Sequence, residues 1–286
     1  MSSKSAKVIR FAGSAVAVEH EGERAARIVD FLFRHAGPEI NHDIPADITY
    51  RLVPGEEPDN MVLYREEMLL DAGTSEADLA ERLLGSVCHD LADKSRGGLL
   101  FHSAALILKN NKGLVLPGGI AAGKTTLAFW LAMKGSNYLT DEMVFVADGA
   151  DAFQAFGRPL NLKEPARLAL EKYFNFEQKA GQCLRASRST LISPELLGSG
   201  ASTKETPISL IVFPGYREAG DSDLKPLTKA QAGLALMECL VNARNLPDHG
   251  LSEILRLVKM VPAFQLRYSH FDQLGKHLET LLRILT

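Results

Sequence analysis

The run Gly118-Gly119-Ile120-Ala121-Ala122-Gly123-Lys124-Thr125-Thr126 carries the Gly-x-x-x-x-Gly-Lys-Thr pattern of a loop that holds nucleotide phosphates. Glycines at 118, 119 and 123 let the backbone turn tightly. They aim its N–H groups at phosphate oxygens where a following helix begins. In such a loop Lys124 reaches the β- and γ-phosphates and the Thr125 hydroxyl ligates Mg²⁺. ATP and Mg²⁺ are therefore the expected ligands. The alternative is a glycine-rich turn that happens to carry Lys-Thr before a buried helix. The apolar strand before the loop and the helix after it speak against that.

The loop names a ligand and leaves the reaction open. A guanine-reading Asn-Lys-x-Asp is absent, which argues against a GTPase. No good Walker B strand, four apolar residues ending in Asp, follows downstream. Instead two adjacent carboxylates, Asp141 and Glu142, stand 17 residues after Lys124, where the next strand is expected to begin. His102 stands 16 residues before Gly118, on a strand leading toward the loop.

The elements that must position these residues are legible as periodicities. "LLFHSAALILKNNKGLVLP" reads as two strands joined by the turn Asn110-Asn111-Lys112-Gly113. "KTTLAFWLAMKG" reads as a helix ended by Gly135, and "YLTDEMVFVAD" as the next strand. This strand, loop, helix, strand order is the context a phosphate-binding loop requires. Upstream, residues 7–70 read as β-rich, and 75–93 as an amphipathic helix starting at Ser75 and Glu76. "KSRGG" (94–98) is the clearest break, so a β-rich region 1–95 is expected before a nucleotide-binding domain 96–286. Downstream, short helices are expected at 163–175 and 193–198, around a polar, basic loop "QKAGQCLRASRST". "PISLIVFPGY" reads as a buried strand stopped by Pro214 and Gly215. Helices at 228–243 and "SEILRLVKMV", a strand "AFQLRYS" and a closing helix "FDQLGKHLETLLRIL" complete the chain.

Composition narrows the class. With 286 residues the chain can bury a sizeable core, and a net charge of −3 gives no reason to expect nucleic acid or an anionic membrane. The cysteines, 88, 183 and 239, are too far apart for a zinc site or a disulfide framework and read as buried thiols. The first residues lack the apolar run of a secretory signal, and no stretch is long and apolar enough to span a membrane. A cytoplasmic protein is expected.

His102, the loop and Asp141-Glu142 together resemble the HPr serine kinase/phosphorylase family, in which a His precedes the loop by one hairpin and an acidic pair opens the strand after the loop helix. The similarity is to its HPr kinase-related branch, also through "GRPLNLKE" (157–164), "LIVFPGY" (210–216) and "PAFQLRYSHFD" (262–272), and covers roughly 98–285. The family pair is usually Asp-Asp, so Glu142 is a departure. The later family signature, a Glu beside an Arg-Gly-rich segment, has no full copy here; Arg158, Lys163 and Glu164 occupy that region. The N-terminal region does not resemble that of the true HPr kinase, which argues against HPr itself as acceptor.

The resemblance implies an α/β fold, with a mixed sheet and flanking helices in an HPr-kinase/carboxykinase-like core. It also implies ATP-dependent transfer to a serine hydroxyl of a small protein or peptide. Asp141 would be the base, His102 would orient it, Lys124 would serve the transferring phosphate, and Thr125 with Glu142 would hold Mg²⁺. Arg158, Lys163 and Glu164 would contact phosphate or substrate, and Arg185 and Arg188 could close over the site. Blander roles stand beside these: a solvated turn for Asp141-Glu142, a satisfied core histidine for His102, and surface solvation for the arginines and Lys163. Two functions stay open beside the kinase: an ATP-binding regulatory or assembly module without transfer, and a small-molecule kinase on the same core. The hexamers of true HPr kinases do not carry across, so a homo-oligomer is neither implied nor excluded.

Overall fold

The computed structural model describes residues 4–36, 45–198 and 205–284. Residues 1–3 and Leu285, the last residue of the expected closing helix, lie outside the described residues. In chain order the elements begin with β1 (Lys4–Phe11), β2 (Ser14–Glu21), α1 (Glu23–Phe33), β3 (Ile48–Pro54), β4 (Met61–Arg65), β5 (Met68–Gly73) and α2 (Glu76–Asp93). Next come β6 (Gly98–Ile107), β7 (Gly113–Pro117), α3 (Lys124–Met133), β8 (Asn137–Thr140), β9 (Met143–Ala147) and β10 (Ala152–Ala155). They are followed by β11 (Leu160–Lys163), α4 (Glu164–Leu170), β12 (Cys183–Arg185) and β13 (Ser189–Ile192). The last are β14 (Thr206–Tyr216), β15 (Asp223–Pro226), α5 (Lys229–Cys239), α6 (Leu251–Met260), β16 (Ala263–Tyr268) and α7 (Gly275–Ile284). The protein is mixed α/β. Among the described residues no helix is long and apolar enough to cross a membrane.

The chain forms two compact units. The first comprises Met1–Ser95 with Gly157–Leu196, and the second chiefly Arg96–Phe156 with Lys204–Thr286. The first contains a sheet in the order β1-β2-β3-β4-β5, antiparallel except for the β2–β3 pair, and a small sheet β11-β13-β12. Helix α2 follows from local chemistry. The Ser75 hydroxyl accepts the Asp78 N–H at the N-terminus, and Leu79, Leu83, Leu84, Val87 and Leu91 recur on the buried face.

The second unit is built on a sheet ordered β10-β9-β6-β7-β14-β16-β15, with β8 also on β6. Strands β7 and β16 run parallel to the central β14, and β6 runs antiparallel to β7. Buried on both faces, β7 reads as an unbroken apolar run. Val115 packs with Phe101, Val144, Ile211 and the α5–α6 side chains Leu236, Ile254 and Leu257. Leu114 and Leu116 line the opposite face with Leu127 and Trp130 of α3 and Leu281 of α7. Helix α5 opens on a capping box between Thr228 and Gln231.

Four local expectations change. Helix α1 lies inside the stretch read as β-rich; its buried Ala25, Ile28, Val29, Leu32 and Phe33 have helical spacing, which the alternation of the preceding hairpin overshadows. The strand expected over "YLTDEMVFVAD" is two strands, with Asp141-Glu142 at the break, because β8 and β9 pair with successive halves of β6. Strand β14 continues through Pro214 and Gly215 to Tyr216. Its ladder with β7 ends at Ile211, so the missing proline N–H costs no bond on that side. The basic loop contains β12 and β13, which pair only because β11 returns beside them. Segment 157–196 also rejoins the first unit rather than continuing the second. Ser187 hydrogen-bonds Asp78 and Ser189 hydrogen-bonds Glu81, both acids on α2.

Candidate active site

The glycine-rich loop joins the C-terminal end of β7 to the first turn of α3. Two residues take left-handed backbone there, Ala121 at φ 64° and Gly123 at φ 91°. Lys124 is 5% exposed, and its ammonium is folded back over the loop. Nζ donates to the Gly118 and Gly119 carbonyls at 2.7 and 2.9 Å and lies 2.9 Å from His102 Nε2. A buried ammonium needs such acceptors, since desolvation without them costs several kcal/mol, on the order of a lost charged hydrogen bond or more. They are the kind of contacts that phosphate oxygens would replace.

His102 is fixed from both sides of its ring. Nδ1 lies 3.2 Å from Glu142 Oε1, and Nε2 faces the lysine ammonium. An ammonium has no lone pair, so Nε2 must accept; the proton then sits on Nδ1 and points at Glu142. The result is a relay from Glu142 through His102 to Lys124. The two ring nitrogens of His102 thus meet Lys124 and Glu142. Asp141, 2% exposed, accepts a hydrogen bond from Tyr138 Oη at 3.1 Å.

Register explains why these groups meet. On one side of β6, Ser103 is opposite Pro117, the residue before Gly118. On its other side His102 is opposite Met143, and the Ser103 N–H donates to the Glu142 carbonyl at 3.0 Å. Strand β6 therefore carries the loop on one flank and the acidic bend on the other.

Two tyrosines that sequence reasoning passed over complete the loop's support. The Tyr216 N–H donates to the Ala122 carbonyl at 3.1 Å, and Tyr268 Oη donates to the Gly123 carbonyl at 3.0 Å. Their rings meet edge to face at 5.7 Å between centroids. Burial pushes the Tyr268 phenol above its ordinary pKa. Tyr216 ends β14, the parallel neighbour of β7, and Tyr268 ends β16, the next parallel strand, at the carboxyl ends where α/β sheets hold ligands. No local pattern marks them; only strand order does.

A Cβ at Gly123 would run into the Tyr268 hydroxyl and stand 3.0 Å from Tyr216 Cβ, on a backbone that side chains rarely adopt. At Gly119 a Cβ would meet nothing within 4 Å. Gly123→Ala is expected to cost about 2 kcal/mol of stability, and Gly119→Ala less than about 0.5 kcal/mol. Thermal denaturation of the two variants checks the contrast.

The remaining expected residues separate by unit. Gly118–Thr126, His102, Asp141 and Glu142 belong to the second unit; Arg158, Lys163 and Glu164 belong to the first. There Arg158 is 3% exposed, with Nε on the Pro159 carbonyl and Nη1 3.4 Å from Cys88 Sγ. Glu164 pairs with Arg167 and Arg185, which hold its carboxyl below the usual range. Lys163 is exposed at the start of α4.

Among the described residues no group of three or more His, Cys, Asp or Glu side chains is arranged to hold a metal ion. Thr125 and Glu142 alone would not form a cage. That donor set suits Mg²⁺, which takes few protein ligands and fills its shell with water and phosphate oxygens.

No protein-family model matches the chain, and no curated protein matches it. Among solved structures it is similar to the HPr(Ser) kinase/phosphatase from Coxiella burnetii, at 12% sequence identity and a TM-score of 0.32, across 64% of this chain and 93% of that one.

Proposed function

We infer that the second unit is an ATP-dependent phosphotransferase on an HPr-kinase-like core, delivering the γ-phosphoryl group to a serine hydroxyl of a small protein or peptide. The observation that carries this reading is the Glu142–His102–Lys124 relay beside the glycine-rich loop. Hydrolysis alone does not need a histidine and a carboxylate lined up against the loop lysine.

In this reading the loop N–H groups and the α3 N-terminus cradle the phosphates. Lys124 exchanges the Gly118 and Gly119 carbonyls for phosphate oxygens and neutralises charge that builds during transfer. Thr125 with Glu142 would hold Mg²⁺, which supplies further neutralisation when bound. The serine oxygen bonds to the γ-phosphorus, the bond from that phosphorus to the bridging oxygen breaks, and ADP leaves. The hydroxyl proton passes to a carboxylate of the acidic bend. Asp141 is the first choice.

A specific observation favours a second assignment. Asp141 is nearly fully buried, whereas the Glu142 side chain is 35% exposed and backed by His102. The exposed pair could itself take the proton. Incubation with labelled ATP, Mg²⁺ and lysate of the source organism separates the assignments. Asp141→Asn is expected to slow transfer about 10²-fold or more with ATP binding retained. Loss confined to Glu142→Gln and His102→Ala would move the base to that pair. Absence of any labelled acceptor, with ATP still bound, would leave the non-transferring module as the function.

A further inference from the structure

The first unit contains a cavity of about 650 Å³, walled by one face of α2, by β3 to β5, and by Ser187 and Arg188. That volume is in the range of small-molecule sites. The cavity lies wholly within the first unit, and none of its residues belongs to the glycine-rich loop or the acidic bend.

Three of its four acids already hold side-chain partners; the fourth, Asp71, accepts only the Ala72 N–H, at 2.9 Å. Asp90 receives Arg65 in a bidentate pair at 2.8 and 2.9 Å and the Tyr50 hydroxyl at 2.5 Å. Asp78 receives the N–H and hydroxyl of Ser187 at 2.7 and 2.9 Å. Glu81 receives Ser189 Oγ at 2.7 Å and Asn161 Nδ2 at 3.2 Å.

Its outer cations do not. Among the described residues Arg82 and Arg188 have no side-chain hydrogen bond or ion pair, although both line the cavity. His89 stands two turns along the same helix face as Arg82. Arg82 and Arg188 are thus spare donors at a cavity whose carboxylates, Asp71 apart, are already engaged by side chains, and such donors favour an added anion.

Gly85 points the same way. It sits mid-helix in α2, where glycine costs about 1 kcal/mol relative to alanine. No atom lies within 4 Å of where its Cβ would be, so no packing neighbour requires its small size. It lines the cavity between Arg82 and His89, and the missing side chain keeps that wall open.

We propose that this cavity binds a small anionic molecule, a phosphate ester or a carboxylate, gripped by Arg82 and Arg188 across the gap left by Gly85. The two arginines serve because a guanidinium meets either anion with paired donors. The site acts independently of the phosphotransfer reading of the second unit.

Calorimetric titration of the full chain with phenyl phosphate and, separately, with glutarate tests this. A Lys124→Ala background keeps the glycine-rich loop from dominating the phosphate signal. Saturable binding of either probe is expected, and the stronger one identifies the anion class. The Arg82→Gln/Arg188→Gln pair should weaken it about tenfold or more. Gly85→Leu should weaken it comparably by filling the space, while thermal denaturation shows the fold retained. No saturable binding of either probe, or binding unchanged in both variants, overturns the proposal.

Discussion

Lys124→Ala is expected, on the phosphotransferase reading proposed above, to lower phosphoryl transfer about 10²–10³-fold, the loss typical of removing one preorganised charge-stabilising donor. ATP binding should weaken with it. The reason lies in how the side chain is held. Lys124 is buried, its ammonium held by two loop carbonyls and the His102 ring. Equilibrium binding of a fluorescent ATP analogue, with single-turnover transfer of label, separates the two effects. His102→Ala makes a useful companion. It leaves the ammonium in place and removes its orienting partner, so transfer should fall while ATP binding changes little. Equal loss of binding in both variants would reduce His102 to a structural prop.

Asp90→Ala is expected to destabilise the first unit by about 3 kcal/mol, the scale for breaking a buried, hydrogen-bonded ion pair. Asp90 is 4% exposed and Tyr50 is fully buried, so the substitution strands the phenol hydroxyl and removes both acceptors of Arg65. Hydrogen exchange of the α2 amides reports on this unit separately from the other. A pH dependence accompanies it. Burial opposes ionisation of Asp90, but hydrogen bonds from Arg65 and Tyr50 outweigh it and hold the carboxyl below its ordinary value. A depressed folded-state pKa contributes stability above the unfolded value, about pH 4, and loses it as pH falls through the folded one. The first unit should therefore lose protection below about pH 4. Asp90→Asn, which cannot ionise, should flatten that part of the profile.

The two units differ in how much of them local sequence reveals. In the second, the loop's glycines, the strand before it and the helix ended by Gly135 all follow from short-range signals and are present; the hairpin turn expected at 110–113 lies at 108–112, with Gly113 already in β7 opposite Ile107. In the first, α2 was legible through Ser75 and its leucine spacing, but α1 was hidden behind a strand-like alternation. The acidic bend was visible as residues, yet its place between two strands was not. That break exists because β6 is long enough to pair with β8 and β9 in turn.

The candidate site divides along the same line. Residue types and spacing alone determined a loop suited to phosphates, with a histidine upstream and two carboxylates downstream. Those signals act over a few residues: glycine conformational freedom, a helix start, apolar periodicity. Only tertiary structure decided that His102 belongs to Lys124 and Glu142, and that Tyr216 and Tyr268 support the loop. It also decided that Arg158, Lys163 and Glu164 fold with the first unit. Strand order and register are set by burial across the whole sheet, which brings together residues that local patterns leave tens or hundreds of positions apart.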